Sequence, residues 1–383
     1  MSCLGTTRRG FLGGALAMAA AGCTGTKAVA SADPNVFIKA MLIHLGSNMW
    51  CDVYTPADEK RVPSVQAVKK YKNPWCDKSR VDYLRADFGI WRDVTAAMAR
   101  AKLNMIVIDL GESLVYPSHP ELGVKGSWAP SKMREELARL REMGLEPIPK
   151  LNFSATHNAW MKDWRYRIAT PEYLKTTREL IEDAVEIFGG PRFVHIGYDE
   201  ETIGHQGTWG RYEFIACRRG ELWWHDFLYT VDCVRKAGSR AWCFSDQIWY
   251  EPELFRSRMP KDVVQCPWNF NDKDPKRPWY RDQIDDIAAL GMDLIPDCGQ
   301  YPSQNVQTAN GGESWTYTPI DRADDETETR QMMAYCAKHV PKAQLKGFIG
   351  CPWVTLTPGI PRAALLDAIA YSGEEFNRFE LTR

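Results

Sequence analysis

The chain has no Cys-x-x-Cys pair and no cysteine or histidine spacing of the kind that holds zinc. It has no clustered basic tract: 48 Lys and Arg against 49 Asp and Glu leave a net charge of -1, which argues against nucleic acid as a partner. Its Ala/Gly/Leu-rich stretch after Phe11 is too brief to span a bilayer. No glycine-rich dinucleotide loop follows the first strand patterns, which weakens a doubly wound open sheet. No His-x-His follows the first strand and the seven histidines are scattered, which ranks metal-dependent hydrolysis low. Nothing in the pattern calls for a cofactor. What remains is a 383-residue chain, 44% hydrophobic and 25% charged, of ordinary globular composition and long enough for one large domain or two small ones.

The first 35 residues read as an export segment and linker. Residues 6–12 (TTRRGFL) resemble a twin-arginine signal, and residues 20–23 (AAGC) resemble a lipobox with alanine at its usual leucine position. Cys23 would then be the lipidated first residue of an exported protein, periplasmic or at the cell surface, touching the membrane only through that anchor. Of eleven cysteines, Cys3 and Cys23 fall in this segment, and the odd number left excludes complete pairing within one chain. Cys51 and Cys76 are the pair to test.

From residue 36 to 383 short apolar runs alternate with longer amphipathic ones, the signature of β/α units. Strands are expected at 40–45, 104–110, 147–151, 193–201, 241–246, 263–268, 292–297 and 347–353. Helices are expected at 88–101, 131–142 with Ser131 as cap, 171–188, 223–237, 279–290, 325–339 and 360–371. Eight such units predict an α/β fold, a single (β/α)8 TIM barrel.

In such a barrel the site lies where the strands end. Those ends carry His44 and Trp50, Asp109 and Glu112, Asn152 and His157, Asp199 and Glu200, Asp246 and Trp249, Trp268 and Asn269, Asp297 and Tyr301, and Trp353. Indole rings stack on the CH faces of sugars while carboxylates and amides bind hydroxyls, so this rim points to a carbohydrate substrate. On the fourth strand, alternation puts His195, Gly197 and Asp199 on one face and Val194, Ile196 and Tyr198 on the other.

Residues 195–200 (HIGYDE) resemble the His-x-Gly-Gly-Asp-Glu strand of glycoside hydrolase family 20, the β-N-acetylhexosaminidases. Residues 102–104 (KLN), 116–122 (YPSHPEL) and 155–157 (ATH) resemble further segments of that family in the same order, so the likeness covers roughly 88–205 and continues mainly as strand-end aromatics. The resemblance implies retaining hydrolysis of terminal N-acetylhexosamines in which the sugar's acetamido oxygen is the nucleophile. It implies Glu200 as general acid and then base, and Asp199 as the group that holds the acetamido N–H. Tyr301 would bind the acetamido carbonyl, and His157 and His195 would position the reacting groups. Tyr198 stands where the family has glycine, the family's strand-one arginine has no match between Met41 and Trp50, and only a linker separates Cys23 from the first strand. Two other readings stay open: a retaining glycosidase with Glu200 as acid/base and Asp297 as nucleophile on non-acetamido sugars, and a non-catalytic, lipid-anchored glycan-binding barrel.

Overall fold

Parallel strands joined by helices should be short, apolar and buried on both faces, and those of the main sheet are short and almost wholly buried. In the computed structural model, residues 36–52, 80–209, 212–268, 278–299, 304–309, 312–358 and 362–382 are described. The export segment, Cys23 and Cys76 lie outside them. β1 (Ile38–His44) is followed by α1 (Phe88–Arg100), β2 (Met105–Asp109), α2 (Pro130–Glu142), β3 (Glu146–Lys150), α3 (Pro171–Ile187) and β4 (Phe193–His195). Then come α4 (Gly220–Lys236), β5 (Arg240–Phe244), the short α5 (Gln247–Tyr250) and α6 (Pro252–Arg258), β6 (Val264–Cys266) and α7 (Trp279–Ala289). A hairpin of β7 (Gln304–Ala309) and β8 (Gly312–Tyr317), α8 (Glu328–His339), β9 (Gly347–Gly350) and α9 (Arg362–Thr382) complete the order.

Seven strands form one parallel sheet in the order β6-β5-β4-β3-β2-β1-β9. The seventh strand expected at 292–297 is not a regular one. That segment makes single parallel bridges, Gln265↔Leu294 toward one edge of the sheet, Leu294↔Leu345 and Asp297↔Ile349 toward the other. Its backbone donates from Asp297 to Pro267 and from Cys298 to Ile349, so it is hydrogen-bonded to both edges. Pro296 removes a donor in the middle of the run, which explains why it does not register as a ladder. The sheet is therefore curled and flanked by helices, an α/β fold like a TIM barrel. The β7–β8 hairpin was not foreseen.

Helix starts follow local chemistry. Asp87 accepts from Ile90 N–H and Thr170 from Tyr173 N–H, as caps do. Ser131 does not cap α2. Pro130 occupies the first turn, its fixed φ starting the helix one residue earlier, and Ala129 precedes it without a side-chain bond. The last helix runs on to Thr382, beyond the expected end at 371.

β3 reads Glu-Pro-Ile-Pro-Lys, an unusual central strand. Glu146 N–H donates to Asn104 on the β2 side and Leu151 N–H to His195 on the β4 side, so by alternation Pro147 and Pro149 face β4. The missing donors confine the β3–β4 register to one pair, Lys150↔His195. β4 is consequently short.

Inside the sheet's curve Ile38, Ala40, Leu42, Met105, Val107, Ile148, Phe193, Trp242, Phe244 and Val264 pack together, while the alternate residues face the helices. One interior layer is polar. His44, Asp109, Lys150 and His195 stand in register across β1 to β4. The Lys150 ammonium bonds Asp109, whose other neighbour is His44 Nδ1 at 3.3 Å. Burial alone would raise the Asp109 carboxyl, but Lys150 and His44 outweigh it and hold it at about 2. A fully buried ion pair of this kind is kept only because each charge has the other, and removing one partner costs about 3–5 kcal/mol.

Candidate active site

The polar layer forms the floor of the strand-end rim, and the chain leaves β4 above it through a strained turn. Gly197, Tyr198 and Glu200 have φ of 71°, 68° and 56°. Gly197 is required. A Cβ there would lie 2.0 Å from Asn152 Oδ1, because the Asn152 side chain crosses over it to reach Asp199. Tyr198 tolerates the left-handed region at a cost of about 1–2 kcal/mol. Its ring points to the helices, 5.5 Å from Trp223 and 5.1 Å from Phe227, and its hydroxyl meets Thr230 at 2.8 Å. Burying an aromatic ring contributes about 1.5–3 kcal/mol, enough to offset the strain, so tyrosine is accommodated where the family has glycine.

The turn delivers the two acids. Asp199 is buried and accepts from Asn152 Nδ2 at 2.7 Å, and Asn152 Oδ1 in turn accepts from the Ser154 N–H at 3.1 Å. Glu200 is held by its backbone: its N–H donates to Asp246 Oδ2 at 2.8 Å and its carbonyl accepts from Thr156 Oγ1 at 2.6 Å. Such over-determination is what left-handed φ at a non-glycine residue needs. His157 bridges the pair, with Nδ1 3.5 Å from Asp199 Oδ2 and Nε2 3.5 Å from Glu200 Oε2. The donor atoms of His157, Asp199 and Glu200 lie within 4.8 Å of one another, close enough to share a proton network or a cation. The Asp199 carboxylate is buried, whereas the Glu200 side chain is 26% exposed.

Behind them Asp246 closes the arrangement. It accepts from Trp268 Nε1 at 2.5 Å, and burial together with the charge of Asp199 pushes its carboxyl well above the usual range. Trp249 packs on Trp268 at 5.3 Å, extending this wall. Trp353, with φ of 50°, lies 5.6 Å from the His44 ring and 5.8 Å from Phe244. Trp50 closes the side toward His157 at 6.4 Å.

Not every expected residue joins them. His195 sits one layer down, between Trp242 at 5.1 Å and Phe244 at 4.6 Å, its Nδ1 accepting from Gly197 N–H at 3.2 Å. Burial and then Lys150 push its imidazole well below the usual value, so it is a neutral interior ring. Asp297 bonds Gly299 N–H at 2.9 Å, and burial followed by the charge of Glu328 drives its carboxyl well above the carboxylate range. Asn269 and Tyr301 lie outside the described residues.

Three contributors went unread in the sequence. The Arg218 guanidinium and backbone wrap the buried Glu201 carboxylate with bonds of 2.7 to 2.9 Å, and Nη1 reaches Asp226 at 3.1 Å, pinning the end of the turn to α4. Tyr212 bonds the carbonyls of Met49 and Thr156, tying this loop to the one after β1. His205 stands on the exposed side of Glu200, Nε2 to Oε1 at 3.3 Å. Residues 201–219 follow neither the period of a strand nor that of a helix and so offered no signal for any of them.

The fold is thus that of a TIM-barrel-like protein with a paired-carboxylate site at its strand ends. Its structural neighbours include the β-N-acetylhexosaminidase of glycoside hydrolase family 20 from Streptomyces coelicolor A3(2), at 11% identity and a TM-score of 0.51 over 87% of this chain and 64% of that one. The corresponding enzyme from Bacteroides fragilis matches at 11% identity and TM-score 0.51, over 86% and 65%. The exo-β-N-acetylglucosaminidase from Vibrio harveyi, in complex with N-acetylglucosamine, matches at 15% and 0.50, over 78% and 56%. The chain spans less than two thirds of each, and at these identities the likeness is one of fold. No protein-family model and no curated protein matches the sequence.

Proposed function

We propose that the protein is a glycoside hydrolase that removes terminal N-acetylhexosamines with retention, using the sugar's own acetamido group. The observation that carries this reading is the Asp199–Glu200 pair, one carboxylate buried and fixed by Asn152, the next half-open at the strand end. In the first step Glu200 gives its proton to the glycosidic oxygen, the C1–O bond breaks, and the acetamido oxygen bonds C1. Asp199 accepts the acetamido N–H and balances the oxazolinium charge. In the second step water adds to C1 from the leaving-group side, its proton passes to Glu200, and the C1–acetamido bond opens.

Burial and the charge of Glu328, which push the Asp297 carboxyl well above the usual range, speak against it as a nucleophile, which must be ionised to attack. The partly exposed Trp268 and Trp353 fit sugar faces, and His157 fits the positioning of both acids. We read segment 292–297 as the eighth stave of the barrel. Export, with lipid attachment at Cys23, belongs to the same reading and rests on residues 6–23 alone.

The test is the configuration of the first product. Given an aryl N-acetyl-β-glucosaminide, the protein is expected to release N-acetylglucosamine first as the β-anomer in a time-resolved proton NMR spectrum. Release of the α-anomer first would refute retention, and no release would refute the hydrolase.

A further inference from the structure

The Glu200 carboxylate lies between two imidazoles, and only one of them has a place in the reading above. His157 approaches Oε2 from the buried side. His205 approaches Oε1 from the solvent side at 3.3 Å, its own side chain 32% exposed. His205 is not on a strand: it begins a single wide turn, His205–Trp209, in the loop after β4. We infer that His205 is a positioning residue for the general acid, fixing the Glu200 carboxyl so that its proton lies on the oxygen that meets the leaving group. This rests on the hydrolase reading and deepens it.

The tautomer follows from Glu200 and Thr202. The Thr202 Oγ1 accepts the His205 backbone N–H at 3.1 Å and lies 2.7 Å from His205 Nδ1. An ionised Glu200 only accepts, so the hydrogen facing Oε1 at 3.3 Å sits on Nε2, and in the neutral ring Nδ1 then accepts the Thr202 hydroxyl proton. That hydrogen points at Glu200 Oε1. When Glu200 is the acid, an oxygen that accepts a hydrogen bond is its carbonyl oxygen, so the acidic proton resides on Oε2. When Glu200 becomes the base, the same N–H stabilises the carboxylate. No proton leaves His205 in either step.

The loop is braced for this. Gln206, the next residue, exchanges hydrogen bonds with Ala216, donating to its carbonyl at 2.7 Å and accepting its N–H at 2.9 Å, which closes the loop on itself. Arg218 then anchors the loop's far end to Glu201. The Glu200 backbone is fixed independently by Asp246 and Thr156, so losing His205 releases the Oε1 side of the carboxyl group and leaves the turn in place.

A residue that orients a general acid matters in proportion to how much the leaving group needs protonation. His205→Ala and His205→Gln would be compared with the unmodified full chain on two N-acetyl-β-glucosaminides, chitobiose and the 2,4-dinitrophenyl glycoside, whose leaving group departs without a proton. General acid catalysis contributes about 10²–10⁴-fold, and its positioning is expected to account for about 10-fold of that. His205→Ala should lower kcat/KM on chitobiose about 10-fold and on the dinitrophenyl glycoside less than about 2-fold, with His205→Gln, which restores an N–H donor, recovering most of the loss. Equal losses on both substrates, or none on either, would overturn the inference. If the unmodified chain cleaves neither, the hydrolase reading itself has failed and the inference falls with it.

Discussion

Glu200→Gln is expected to lower kcat on an unactivated N-acetylhexosaminide by about 10²–10⁴-fold, the share general acid and base catalysis ordinarily supplies. The fold should not notice. The Glu200 side chain is partly exposed, and the contacts that hold its backbone, from Asp246 and Thr156, do not involve the carboxyl. Glutamine keeps the size and loses the proton, so KM should change little while kcat falls. Asp199→Asn is the companion, expected to cost about 10²–10³-fold, comparable to removing one preorganised group that stabilises transition-state charge. The asparagine cannot balance the oxazolinium charge, and its amide would meet the Nδ2 donor of Asn152 wherever it replaces Oδ1. Purified variants with unchanged thermal unfolding and wild-type rates would refute both assignments.

Gly197→Ala should be nearly as damaging, by another route. The added Cβ would sit 2.0 Å from Asn152 Oδ1 and 2.2 Å from its Cγ, and the backbone there is left-handed at φ 71°. The conformational penalty is about 1–2 kcal/mol and overpacking adds about 1–3 kcal/mol, so urea denaturation should register a loss of roughly 2–5 kcal/mol. Activity should fall about 10²-fold as well, because displacing Asn152 releases Asp199 and small misplacements cost that much. Combining Gly197→Ala with Asn152→Ala separates the two effects. The double variant removes the clash and should regain part of the stability, yet it leaves Asp199 unheld and should stay inactive.

What could be read from the sequence was whatever alternation encodes. Val194 and Ile196 face the helices and His195 the interior as the period of two requires, and Tyr198 also lies against α4, though the strand has ended and a left-handed turn carries it there. The acids stand at the strand end because a buried pair in mid-strand would lack partners. The polar floor was only half legible. His44, Asp109, Lys150 and His195 are visible one by one, but their contact depends on strand register, which no local pattern records. The same limit hid His195's position below the acids and placed Asp297 with Gly299. Segment 292–297 has strand-like composition, yet Pro296 interrupts its ladder, and the β7–β8 hairpin was legible after all in Asn310-Gly311, the two-residue turn signal that stands between its strands in the sequence. His205 was illegible for a different reason: a loop residue reaches its partner through the shape of a turn, and although Gly204 and Gly207 mark a turn here, they do not say which side chain it aims at Glu200.

The central claim is that the sugar's acetamido group, not a protein carboxylate, attacks the anomeric carbon. It is tested most directly by comparing kcat/KM for matched aryl β-glycosides that carry a 2-acetamido or a 2-hydroxyl group on otherwise identical sugars. The account predicts a preference for the acetamido sugars of at least about 10³-fold, since the hydroxyl substrates lack the nucleophile and its effective molarity. Equal or faster hydrolysis of the 2-hydroxyl glycosides would contradict it.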